Sequence, residues 1–298
     1  MSWIEINLSV PQESLEEISA YLFALGCEGI QVTERGVTIY FTQHRWSDEV
    51  KIGLLEFIGQ IIPHFSMRHI QIKALADQDW IQNWKEYFKT IRVTSRIIIK
   101  PPWEHYNAQA GEVLVVINPQ MAFGTGHHES TQLMIRALDK FIQPGMHVLD
   151  VGTGSGILAF VCDKLGADSV LGIDNDINAL KNASENARLN KSSKNIRFIL
   201  GQLEQFHPIE YDLVLANINA KVLLDYSTLF PRFMKLKSKL ILSGILRSDE
   251  QKIVDHFHNR GFKLINKNTI KEWLSLVFEL EKKEELHEEG NIREMEYR

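Results

Sequence analysis

Three glycines and an aspartate carry the sharpest chemical signal in the chain. In "VLDVGTGSGIL", Gly152, Gly154 and Gly156 separate two apolar runs, the form of a strand that turns through a glycine loop into a helix. Glycine there permits positive φ and close approach of a ligand to the main chain, and the first N–H groups of the helix face the same space. Asp174, in "GIDND", ends the next apolar run 22 residues after Gly152. A carboxylate at that distance can accept both hydroxyls of an adenosine ribose. The dinucleotide pattern G-x-G-x-x-G needs a small residue five places after the first glycine, where this chain has the bulky Ile157. The order here is the tighter G-x-G-x-G, which disfavours the dinucleotide form.

Two other segments carry candidate chemistry. "NPQMAFGTGHHEST" holds Phe123, Gly124, Thr125, Gly126 and Thr131 together with His127 and His128. Adjacent histidines rarely converge on one ion, and no His-x-x-x-His or paired cysteines accompany them, so no metal is expected. A phosphate loop requires G-x-x-x-x-G-K-[ST], and "FGTGHHES" has no lysine in place. Its glycines read as a flap, and Thr131 as the start of a helix facing the same ligand as Gly152. In "YDLVLANINAKVLL", Asn217 follows an apolar strand. Ligands of open α/β sheets bind beyond the carboxyl ends of strands. An asparagine there can hold an amine for group transfer, cap the following helix, or do both.

The elements that must position these residues follow from periodicity. From residue 133 onward, runs near 146–151, 169–174, 196–200, 211–216 and 239–243 alternate with helical stretches, which predicts a parallel sheet covered on both faces. "FKLINKNTI" and "EWLSLVFELE" then predict an antiparallel hairpin at the sheet edge. Before this region, "RIIIKPPW" and "EVLVVINP" read as two strands. At the N-terminus, Ile4, Ile6 and Leu8 alternate as a strand, and Leu15, Ile18, Leu22 and Leu25 follow at helical spacing. A hairpin around Glu34-Arg35-Gly36, a helix from Asp48 to Ile62 closed by Pro63, and the strand "HIQIKAL" complete a β-α-β-β-α-β order, the ferredoxin-like pattern. Trp80, Trp84, Tyr87 and Phe88 lie on one face of a helix over 77–91, read chiefly as packing against a neighbouring domain.

The expected organisation is a ferredoxin-like domain over 1–75, a linker helix over 76–95, a catalytic α/β domain over 96–281 and a charged tail over 282–298. The formal charge of −5 provides no basic stripe, so no nucleic acid partner is required. The two cysteines, Cys27 and Cys162, have neither metal nor redox spacing and are read as reduced, buried residues. With no signal-like start and no long apolar run, the expectation is a cytoplasmic protein without a membrane partner.

The glycine loop, Asp174 and the antiparallel terminal strand together resemble S-adenosylmethionine-dependent methyltransferases. More narrowly, "DWIQNWKEYFK", "KPPWE", "NPQMAFGTGHHEST", "LDVGTGSGIL", "GIDND", "LANINA" and "KEWLSLVF" occur in the order seen in the PrmA family, which methylates lysines of large-subunit ribosomal protein L11. "AFGTGHHEST" is the most specific of these, since other methyltransferases lack it. The resemblance implies a seven-stranded Rossmann-like methyltransferase domain behind an N-terminal ferredoxin-like α+β domain that recognises the ribosomal protein. It implies S-adenosylmethionine as cofactor, held by Phe123, Gly124, Thr125, Gly126, Thr131, Gly152, Gly154, Gly156, Asp174 and Asn217, with Asn217 also catalytic. It further implies a monomer acting on lysine and N-terminal amines of L11; another protein amine or a glutamine amide is the alternative. The family commonly has D-P-G where this chain has Asn118-Pro119-Gln120, and T-H-P-T-T where it has His127-His128-Glu129-Ser130-Thr131. Those departures bear on the substrate more than on the cofactor. A nicotinamide oxidoreductase and a non-enzymatic module with a vestigial fold are the competing classes.

Overall fold

A computed structural model describes residues 3–11, 14, 18, 21–22, 25–27, 29–33, 36–62, 65–75, 88–119, 124–192 and 195–283. The chain divides into two compact units, residues 1–87 and 88–298.

In the first unit the alternation of strand β1 (Trp3–Leu8) buries Ile4, Ile6 and Leu8 on one face. Strands β2 (Gly29–Thr33) and β3 (Gly36–Thr42) form the expected hairpin, with Thr33 opposite Gly36. Helix α1 (Asp48–Ile61) is capped by Ser47, whose side chain accepts from the Val50 N–H at 3.3 Å, and Asp48 and Glu49 complement its N-terminal dipole. Strand β4 (Ile70–Leu75) completes an antiparallel sheet of order β2-β3-β1-β4. That is the ferredoxin-like order. The helix expected over 11–26 lies largely outside the described residues, though Ile18 and Leu22 are fully buried in the same core as Leu54 and Ile58.

The second unit opens with a small sheet of β5 (Ile91–Arg92), β6 (Ile97–Lys100) and β7 (Val113–Val116). Of the segment read as a linker helix, 76–87 lie outside the described residues. Its end is not helical: residues 88–90 have no regular structure, and Ile91 pairs with Ile99. β-Branched Thr90, Ile91 and Val93 favour that pairing over a further helical turn.

Helix α2 (Glu129–Phe141) leads into the large sheet. Its members are β8 (His147–Val151), β9 (Ser169–Asp174), β10 (Ile196–Leu200), β11 (Tyr211–Asn217), β12 (Met234–Leu246), β13 (Phe262–Ile270) and β14 (Trp273–Leu280). Helices α3 (Ile157–Lys164), α4 (Ile177–Asn190), α5 (Ala220–Tyr226) and α6 (Glu250–His258) connect them. The sheet order is β10-β9-β8-β11-β12-β14-β13. Strand β11 shows why its sequence reads as one continuous apolar run: Leu213 and Leu215 enter the core shared with α2 and α3, while Val214 and Ala216 enter the core shared with α5 and α6.

The terminal hairpin forms at the sheet edge as expected, with its first strand, β13, outermost. β14 inserts between β12 and β13 and runs antiparallel to both. Solvation explains the order: "WLSLVFEL" is buried along almost its whole length, whereas "FKLINKNTI" exposes alternate residues and suits an edge. Chain order reverses between β8 and β11, the switch point beyond which ligands bind.

Candidate active site

The turn after β8 places all three glycines in the left-handed region, at φ of 71° for Gly152, 55° for Gly154 and 81° for Gly156. A Cβ on Gly152 would sit 2.5 Å from Ile218 Cγ2, so the close approach there requires glycine. Gly156 is the N-cap of α3, and a Cβ on it would meet the Phe160 ring at 2.9 Å. It serves close packing of loop on helix.

Asp174 stands at the end of β9, facing this turn. One carboxylate oxygen accepts the Gly154 N–H and the other the Asp176 N–H, each at 2.9 Å. The same side chain therefore ties the glycine turn to β9 and keeps a lone pair on each oxygen for a ligand. A cleft of about 430 Å³ opens here, lined by Gly124, Thr131, Gly152, Gly154, Asp174 and Asn217 among others. Sequence positions nearly a hundred residues apart are thus brought to one wall. Thr125, Gly126 and Gly156 are not among the lining residues, and Phe123 lies outside the described residues. Gly126 instead packs against Ile99 and Ile157.

Asn217 ends β11 on the same cleft. Its Nδ2 donates to Thr131 Oγ1 at 3.4 Å, which orients the amide, and its Oδ1 is buried with no hydrogen-bond partner among the described residues. A buried acceptor left open costs free energy unless something else supplies the proton. The capping role considered for Asn217 belongs to Asn219, whose side chain accepts from the Val222 N–H at 3.0 Å at the start of α5. Two residues further on, the backbone has turned and the helix N–H groups are in reach.

Helix α2 begins at Glu129, two residues before Thr131, because His128 caps it: Nδ1 accepts from the Ser130 N–H at 3.2 Å. The His128 ring meets the edge of Trp273 at 4.7 Å, while His127 packs against Phe88 at 5.3 Å. The two rings have separate surroundings, and among the described residues no cluster of three or more histidine, cysteine or acidic side chains could hold a metal. A hydrogen bond from Lys271 holds the Glu129 carboxyl below the usual carboxylate range.

Several lining residues were not expected from the sequence, among them Gly244, Trp273 and Ile218. Gly244 had a signal. A glycine inside the apolar run "LILSGIL" marks a bulge or close approach, and the register between β12 and β14 does shift between Leu242 and Ile245. A Cβ on Gly244 would lie 2.3 Å from the Ile218 carbonyl oxygen.

Asp150, under the glycine turn, is fully buried. Thr153 Oγ1 donates to its Oδ2 at 2.7 Å, and Oδ1 has no partner among the described residues. Burial pushes its carboxyl from an ordinary 3.8 up to about 7, the Thr153 bond opposes this, and the Asp174 charge adds to it. Between these values the folded state holds a proton that the unfolded chain has released. This group's contribution to stability therefore falls as pH rises from about 4 to about 7. Asp150→Asn is expected to flatten that slope and to be more stable than the parent at pH 8 by about 1–3 kcal/mol, with no gain at pH 4. Thermal denaturation across that range checks it; parallel curves for the two proteins would refute it.

With this geometry in place, comparison with known proteins narrows the class. The family described as ribosomal protein L11 methyltransferase (PrmA) matches residues 2–281. The chain belongs to that family. Among PrmA relatives, the ribosomal protein L11 methyltransferase of Ruminiclostridium cellulolyticum is 39% identical over 93% of this chain and 98% of its own. That of Acetivibrio thermocellus is 32% identical over the same shares. The crystal structure of a ribosomal protein L11 methylase from Lactobacillus delbrueckii subsp. bulgaricus superposes with a TM-score of 0.62 at 31% identity, covering 65% of this chain and all of that one.

Proposed function

We propose that the chain transfers methyl groups from S-adenosylmethionine to lysine and N-terminal amines of ribosomal protein L11. The observation that carries this reading is the open Asn217 Oδ1, buried beside Asp174 and Gly152 on a single cleft. The cleft fits the cofactor. Asp174 has lone pairs free for a ribose diol, Gly152 leaves room that a side chain would fill, and Gly124, Thr131 and Gly154 complete the wall. When bound, the cofactor supplies an electrophilic methyl group.

The protein's part is to present an amine with its lone pair free. A lysine ammonium, with an ordinary pKa of about 10.4, must first lose a proton. Ile157, Leu158, Ile218 and Trp273 make the cleft largely apolar, which disfavours the cation. Asn217 Oδ1 then accepts an N–H of the neutral amine and sets its direction, while Thr131 keeps the amide from turning over. On this reading residues 1–75 recognise the ribosomal protein, 96–281 carry the chemistry, and the chain works as a cytoplasmic monomer. No helix among the described residues is long and apolar enough to cross a membrane.

The deciding experiment incubates the protein with methyl-labelled cofactor and a ribosome-containing lysate from a strain lacking this methylation. Label on L11, at lysine or the N-terminal amine, is the expected result. Label on another protein, or on a glutamine amide, replaces the substrate assignment. Calorimetric binding of NAD but not of S-adenosylmethionine overturns the class.

A further inference from the structure

Helix α4 carries asparagines at 182, 186 and 190, all on one face and all buried, at 1%, 0% and 7% exposure. Burying three amides on one helix is costly unless each is bonded, and here each is. Asn190 accepts from the Val116 N–H at 2.8 Å and donates to the Val116 carbonyl at 2.6 Å. Asn186 Oδ1 accepts from the Asn118 N–H at 2.8 Å, and Asn182 donates to the Asn118 carbonyl at 3.2 Å. The helix thus replaces a neighbouring strand for residues 116 and 118. Spacing makes this feasible: four residues of helix rise about 6 Å, close to the 6.4–6.8 Å spanned by two residues of strand.

Asn186 alone among the three reaches the glycine turn. Its Nδ2 donates to the Ser155 carbonyl at 3.0 Å, besides a 3.3 Å contact with Asn182 Oδ1. Ser155 in turn donates from Oγ to the Gly124 carbonyl at 2.6 Å. A turn built on left-handed glycines has little stiffness of its own, so its shape depends on such external bonds. Asp174 restrains it at Gly154 from one side and Asn186 at Ser155 from the other.

We propose that Asn186 is a positioning residue for the cofactor: its bond to the Ser155 carbonyl holds the glycine turn in the shape that the ligand meets. This rests on the cofactor reading above. Without the Asn186 amide, the buried Ser155 carbonyl and Asn118 N–H lose their partners, and the turn must shift to satisfy them. The ligand then meets a turn that it must reorganise, so binding weakens while the reacting groups at Asn217 stay in place.

Asn190 supplies the control, since it grips the same strand without touching the turn. Asn186→Ala is expected to raise the calorimetric Kd for S-adenosylmethionine about tenfold, with kcat at saturating cofactor within about twofold of the parent. Asn190→Ala is expected to lower Tm comparably and to leave that Kd within about twofold. If Asn186→Ala yields no folded protein, Asn186→Gln, which keeps the amide but displaces it, carries the same comparison. A Kd that is unchanged at position 186, or shifted equally at 186 and 190, overturns the proposal. Failure of the parent itself to bind the cofactor would instead overturn the reading on which the proposal rests.

Discussion

Asn217→Ala is expected to lower kcat for methyl transfer by a factor on the order of 100–1,000, while the Kd for S-adenosylmethionine moves by less than about threefold. The reasoning starts from the accounting at one atom. Asn217 Oδ1 is buried and open, while Nδ2 is already engaged with Thr131 Oγ1. The oxygen is therefore the free functional end of the side chain, on a residue that ends β11 and lines the cleft. Alanine removes the acceptor and leaves an incoming amine free to rotate. The loss concerns alignment of the reacting pair, so it falls on turnover. Asn217→Asp keeps an acceptor oxygen in the same place and should retain more activity than alanine. Steady-state kinetics with saturating cofactor, combined with calorimetry, separate the two effects. Wild-type turnover in the alanine variant would remove Asn217 from the chemistry.

For Asp174→Ala the opposite split is expected: a Kd for the cofactor weakened on the order of 100-fold, and kcat at saturating cofactor within about threefold. Each carboxylate oxygen already accepts one backbone N–H, from Gly154 and from Asp176. Substitution therefore strips the ribose of charge-assisted acceptors and also releases the glycine turn at Gly154. Both losses act on binding, and the strand end that holds Asn217 is untouched. Asp174→Asn should fall between, because one amide oxygen still accepts while the NH2 group opposes an N–H. Calorimetric titration decides; a Kd unchanged in the alanine variant would place the ribose elsewhere.

The two expectations differ in how visible they were before the structure. Asp174 was legible because the interval from a glycine loop to an acidic strand end is set by one strand-turn-helix-strand unit, all of it local in sequence. Asn217 was legible as a strand end, but the fate of its two polar atoms was not. The sequence reading left helix capping open for it, and only the structure shows that Asn219 takes that role. Whether a polar side chain is spent on a cap or left open depends on where the backbone turns, by a residue or two. Asp150 is a similar case: its position before the loop was plain, but the burial that pushes its carboxyl up to about 7 arises only in the folded chain.

The asparagine ladder of α4 could have been read from its spacing of four residues, yet its partners could not. They are the main-chain groups of residues 116 and 118, about seventy positions earlier. Asparagine on a helix ordinarily signals a solvated face, and here tertiary packing reverses that reading. The hairpin at the end of the chain shows the same limit. Its two strands and their antiparallel sense follow from their patterns and short connection. Their order in the sheet depends on which of them excludes water better once β12 is present, and β14 does.

By itself, then, the amino-acid sequence determined what short-range periodicity and local turn chemistry encode. That covers the ferredoxin-like order of strands and helices, the alternating α/β unit, the glycine turn with its acid, and the segments shared with the PrmA family. Only the tertiary structure decided which side chains share a wall, which polar atoms remain open, and where β14 lies. These depend on contacts between distant positions and on the burial that such contacts create, neither of which a local pattern contains.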